Sequence, residues 1–99
     1  LMHFGVPDWI GDYQNPELPL HFAEYAGAVA ERYPWVKYYT PVNEIYVTAR
    51  SSAKDGVWNE QLKTDKAFVT AMKHCVAASI MGTQQIAKCR PDCVIIQSE

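Results

Sequence analysis

The sequence predicts an α/β fold of parallel strands joined by right-handed helical crossovers, and three observations predict it. Two segments carry apolar residues at helical spacing, and three short segments are rich in β-branched and aromatic residues. They alternate as strand, helix, strand, helix, strand, the order that parallel strands with crossover helices produce.

Leu1 to Phe4 is the first apolar strand, ending in a turn at Gly5 and Pro7. Asn15, Pro16 and Glu17 form a helix start: Asn caps free N–H groups, Pro is tolerated in the first turn and Glu suits the positive helix end. Phe22, Ala26, Val29, Ala30 and Tyr33 then share one helical face, which Pro34 closes. Val36 to Val42 reads as the second strand. The stretch from Ile45 to Lys63 reads as a long connection, and connections of that length usually have a function. Thr64 and Asp65 open a second helix, with Phe68, Met72, Cys75, Ser79, Gly82 and Ile86 as its packing stripe. After Arg90-Pro91-Asp92, Cys93 to Gln97 forms the third strand.

Such a unit belongs to a doubly wound open sheet or to a (β/α)8 TIM barrel. The turn after Phe4 reads Gly5-Val6-Pro7-Asp8 and lacks the paired glycines of a dinucleotide site, which favours the barrel. Leu1 and Val94-Ile95-Ile96 place strand-like residues at or close to both ends. Residues 1–99 are therefore expected to be a single partial domain, a barrel fragment of about three of the eight β/α units.

Composition limits the function. With 9 Lys and Arg against 11 Asp and Glu, the formal charge is -2 and there is no basic run. That argues against nucleic acid and membrane surfaces as partners. An apolar content of 48%, with 12% aromatic residues, argues against disorder. Cys75, Cys89 and Cys93 lack zinc-site spacing and read as free, buried or half-buried thiols, which suits a cytoplasmic protein. His3, His21 and His74 stand far apart. Neither a metal site nor a cofactor is expected.

In parallel α/β folds the ligand lies beyond the carboxyl ends of the strands. Those ends are His3-Phe4, Thr40-Pro41-Val42-Asn43-Glu44 and Gln97-Ser98-Glu99. Asn43-Glu44 stands out, because a carboxyl after a strand rich in Val and Tyr is expected in partly apolar surroundings that favour its protonated form, as a general acid requires.

Leu1-Met2-His3-Phe4-Gly5-Val6-Pro7-Asp8-Trp9-Ile10 resembles the third-strand motif of glycoside hydrolase family 1, the β-glucosidase family, written L-x-H-[WF]-D-x-P-x-x-L. Val36-Lys37-Tyr38-Tyr39-Thr40-Pro41-Val42-Asn43-Glu44 resembles the fourth-strand passage that ends T-x-N-E-P. Gly5 stands where the family has Asp, and Ile45 where it has Pro. The resemblance implies a retaining hydrolase of β-glycosides, with barrel strands 3 to 5 in this chain. It makes Glu44 the catalytic general acid/base, Asn43 a ligand of the sugar 2-hydroxyl, His3 a ligand of other hydroxyls and Phe4 a wall of the same subsite. Retention needs a second carboxylate, which the family carries in an I/V-T-E-N-G motif that these residues lack. Glu99 reads as a chain-end carboxylate rather than a substitute, and Trp9, Tyr46 and Trp58 as packing or loop anchors. The alternative expectation is a non-catalytic carbohydrate-binding or regulatory barrel that keeps Asn43 and Glu44 for hydroxyl recognition.

Overall fold

A computed structural model describes residues 1–99. Asn15 prepares the first helix from outside it: its side-chain oxygen accepts from the Glu17 N–H at 2.9 Å, and its carbonyl accepts from the Leu18 N–H at 3.1 Å. Helix α1 (Leu18–Arg32) then begins with Pro19 in its first turn, where a missing N–H costs no helical hydrogen bond. Leu18, Phe22, Ala26 and Ala30 are buried along one face, while Tyr33 lies past the last turn and is exposed.

The stretch expected to be a loop opens with a helix, α2 (Ile45–Ala53), which buries Ile45, Thr48, Ala49, Ser52 and Ala53. Their spacing is helical, but β-branched and hydroxyl residues weaken the local preference for helix, and it is burial against α3 that completes it. Helix α3 (Asp65–Cys89) starts where the sequence places it, with the Thr64 hydroxyl accepting from the Ala67 N–H at 3.1 Å. Its buried line is Ala67, Ala71, Cys75, Ala78, Gly82 and Ile86. Cys75, Gly82 and Ile86 of the expected stripe are buried, whereas Ala67, Ala71 and Ala78 take the places of Phe68, Met72 and Ser79: these alanines face the neighbours and admit their backbones, and Phe68 and Met72 pack from the flank. At Gly82 an added methyl would lie 2.5 Å from Phe22 Cε1, so α1 and α3 meet too closely there for any side chain.

The expected sheet does not form. Strand β1 (Tyr38–Tyr39) pairs in parallel with β2 (Val94–Ile95), Tyr38 opposite Val94 and Tyr39 opposite Ile95. Leu1 to Phe4 contributes one isolated parallel bridge, Met2 to Val42. Barrel strands are buried on both faces, whereas Val94, Ile95 and Ile96 are 36–47% exposed. The (β/α)8 barrel fragment is therefore corrected to a mainly helical domain of three helices with a two-stranded parallel sheet. The segment from Val36 to Val42, whose β-branched and aromatic residues suggested a longer strand, is interrupted by Pro41 and by the hydrogen bonding of residues 42 to 44, described below.

The core runs from Met2 and Tyr13 through Phe22 and Ala26 to Ala71, Cys75 and Ile86. All three cysteines are free, Cys75 buried, Cys93 half-buried and Cys89 exposed. No helix is long and apolar enough to cross a membrane.

Burial pushes the Cys75 thiol up to about 12, with the Glu60 carboxylate adding to it. The folded chain therefore binds a proton that the unfolded chain releases above its ordinary value of 9.0. Stability from this group is complete below pH 9 and is lost as the pH rises from there toward 12, at a limiting slope of about 1.4 kcal/mol per pH unit. Tyr13, raised in the same direction mainly by burial, adds to the loss only above its own ordinary value of 10.0. Urea unfolding of wild type between pH 8.5 and 10 is expected to show the decline, and Cys75→Ala to flatten it. Equal slopes in the two proteins would contradict the assignment.

Candidate functional site

Three chain segments converge at residues 42 to 44. The Met2 N–H donates to the Pro41 carbonyl at 3.0 Å, and the Asn43 N–H donates back to the Met2 carbonyl at 2.9 Å. From the other side, the Glu44 N–H donates to the Ser98 carbonyl at 2.9 Å, the Ser98 hydroxyl donates to Asn43 Oδ1, and Gln97 Nε2 donates to the Val42 carbonyl at 3.1 Å. From below, the Thr48 N–H donates to the Glu44 carbonyl at 2.8 Å as α2 begins. Every expected site residue is brought together here.

Glu44 occupies the position before α2 with φ 46° and ψ 62°, the left-handed region. A residue with a Cβ is held there at a cost of roughly 1–2 kcal/mol, and such strain concentrates at functional positions. The carboxylate reaches His3, with Oε2 3.5 Å from Nε2. The Glu44 side chain is 40% exposed and that of His3 21%. This corrects the partly apolar surroundings that the sequence suggested: the carboxyl faces an imidazole and open solvent.

His3 is fixed on its other edge, where Nδ1 lies 3.2 Å from the Asn43 carbonyl oxygen and 3.2 Å from Thr48 Oγ1. The buried Tyr13 hydroxyl donates to the His3 carbonyl at 3.1 Å, and its raised pKa keeps it a donor. Phe4, 73% exposed, lies with its ring 4.2 Å from that of His3, and Trp58 approaches both edge-on at 5.6 and 5.4 Å. Phe4 and Trp58 thus make an aromatic wall beside the imidazole. An open hollow of about 450 Å³ is lined by His3, Phe4, Gly5, Thr40 and Asn43, within the size range of small-ligand sites. Another cavity, about 310 Å³ between the N-terminal segment and α1, is mostly apolar.

Glu99 is engaged elsewhere. Its oxygens accept from the N–H groups of Ile45 at 3.3 Å and Tyr46 at 3.2 Å, so it serves the free donors at the start of α2. Trp9 is 70% exposed and stacks edge-on with His21, and Tyr46 accepts from Arg50 on the surface of α2. No group of three His, Cys, Asp or Glu side chains lies close enough to hold a metal ion.

Sequence reading missed Thr48, the bond of Ser98 to Asn43 and the part of Trp58. Thr48 follows Glu44 by four residues, one helical turn, a relation that is visible only once Ile45–Ala53 is taken as a helix. No family model matches the chain, and no match is found among curated proteins.

Because glycine adopts the left-handed region without the Cβ clash, Glu44→Gly is expected to stabilise the fold by about 1 kcal/mol while emptying the site. Thermal denaturation of the variant measures this; a loss of stability would show that the carboxylate's contact with His3 outweighs the backbone strain.

Proposed function

We propose that this chain carries the acid/base half of a retaining glycoside hydrolase acting on β-glycosides. The observation that carries the reading is the Glu44 carboxyl, held on a strained backbone 3.5 Å from the imidazole of His3, which together with Phe4 and Asn43 lines an open hollow. The two-motif resemblance to glycoside hydrolase family 1 supports it; the barrel is no part of the proposal. Glu44 protonates the departing glycosidic oxygen and afterwards, as carboxylate, activates water. Asn43 binds the sugar 2-hydroxyl. His3 and Phe4 face the rest of the ring, one as a hydrogen-bonding group and the other as an apolar wall.

Retention needs a nucleophile about 5 to 5.5 Å from the acid. Glu99 is the carboxylate that follows the nearest strand, and it is occupied by the first N–H groups of α2. The nucleophile is therefore assigned to residues other than these 99. The engagement of Glu99 also favours a second reading, in which the site binds a carbohydrate without cleaving it. In either reading the partner is a carbohydrate, and the three free thiols support a cytoplasmic setting.

A small external anion separates the two readings, because it can take the place of the missing carboxylate at the anomeric carbon. The chain alone is expected to leave an aryl β-glucoside intact. With azide in molar excess and a poor leaving group, it is expected to form the α-glycosyl azide, and Glu44→Gln to slow this by about 10²-fold, the usual worth of a general acid. Binding of the glucoside without any azide product would favour the carbohydrate-binding domain.

A further inference from the structure

The ring of His3 is held so that its two nitrogens have different parts. Nδ1 is 3.2 Å from the Asn43 carbonyl oxygen, which has lone pairs and no hydrogen, so the hydrogen between them sits on Nδ1. The Thr48 hydroxyl agrees with this placement. Its own hydrogen has two carbonyl acceptors, Asn43 O at 3.2 Å and His3 O at 3.4 Å, which leaves its oxygen able to accept from Nδ1 at 3.2 Å. Thr48 is fully buried, so water cannot replace it. With the hydrogen on Nδ1, the neutral ring presents its lone pair at Nε2. That is the nitrogen 3.5 Å from Glu44 Oε2.

We propose that His3 and Glu44 form a directed pair, in which His3 is held as its Nδ1–H tautomer with Nε2 offered to the Glu44 carboxyl, and that Thr48 is the positioning residue that sets this direction. The proposal rests on the reading of Glu44 as the acid, and it gives His3 a part beyond contact with sugar hydroxyls. Nε2 faces Glu44 Oε2 as an acceptor, while the Nδ1 hydrogen stays with the Asn43 carbonyl and Thr48. In the first step the proton of the Glu44 carboxyl passes to the glycosidic oxygen as its bond to the anomeric carbon breaks and the nucleophile's bond forms. A carboxylate and a neutral imidazole remain. In the second step the carboxylate takes a proton from the attacking water as the bond to the nucleophile breaks, and the pair is restored.

The arrangement explains why a buried threonine stands one turn into α2. Its side chain reaches the backbone of both site segments and the ring between them, whereas valine would fill the same space and leave Nδ1 with the Asn43 carbonyl alone.

Nitrogen-15 NMR of the full 99-residue chain, labelled at histidine, tests this without any turnover. His3 is assigned by the resonances lost in His3→Asn. Expected are a pyrrole-type Nδ1 and a pyridine-type Nε2 for His3, with Nε2 shifted in Glu44→Gln while His21 and His74 keep their values. Thr48→Val is expected to raise the share of the Nε2–H tautomer, and Thr48→Ser to restore the wild-type pattern. An Nε2–H tautomer in wild type, or an Nε2 resonance that Glu44→Gln leaves in place, would overturn the proposal. Should Thr48→Val fail to fold, the wild-type tautomer and the Glu44→Gln shift still decide. Loss of the azide reaction with the expected spectra would count against the hydrolase reading and leave the pair standing.

Discussion

Asn43 is the constraint on which the rest depends. Its N–H holds the N-terminal segment through Met2, its carbonyl gathers the His3 ring and the Thr48 hydroxyl, and its side-chain oxygen receives the Ser98 hydroxyl. Segments 40 and 55 residues distant in the chain thus meet on one residue. An asparagine can do this because it brings a second carbonyl to the place where its backbone carbonyl is already in use. The left-handed turn at Glu44 follows directly: the chain must leave Asn43 toward α2 while its next N–H points at Ser98.

The helices supply the rigidity that such a junction needs. Alanines along α3, and Gly82 against Phe22, bring α1 and α3 close enough for a shared core in a chain this short. Tyr13 joins that core to the site: its ring is fully buried, and its hydroxyl ends on the His3 carbonyl. The carbonyl of the same residue lies 2.8 Å from His74 Nδ1 on α3. Tyr13 therefore ties the backbone of His3 to the longest helix by two polar contacts and one apolar body.

The two long helices were legible because their signals are local. Thr64 caps a long proline-free stretch with apolar residues at helical spacing, and the four-residue spacing of Phe22, Ala26 and Ala30 needs no distant partner. On α3, Cys75, Gly82 and Ile86 were legible as packing positions, but Ala67, Ala71 and Ala78 were not, because larger side chains outweigh alanine on a hydropathy argument whereas close helix packing selects the alanines. The strands failed for the opposite reason. Strand length is set by neighbours, and these segments find theirs over two residues only. His3, Phe4, Asn43 and Glu44 were legible as strand-end polar groups and motif residues, and they do meet. Thr48 was not, and Ser98 was legible only as a strand-end residue without its bond to Asn43, since a small hydroxyl declares nothing until its partner is known; the role of Glu99 needed the helix that it serves.

That Asn43 and Glu44 form a rigid junction rather than an exposed turn is tested most directly by native-state hydrogen exchange. The amides of Asn43 and Glu44, bonded to Met2 and Ser98, are expected to exchange as slowly as the α3 amides at Cys75 and Ala78, through global unfolding. Exchange of these two amides at the rate of the Asn59 amide, which is exposed and unbonded, with α3 still protected, would contradict the account.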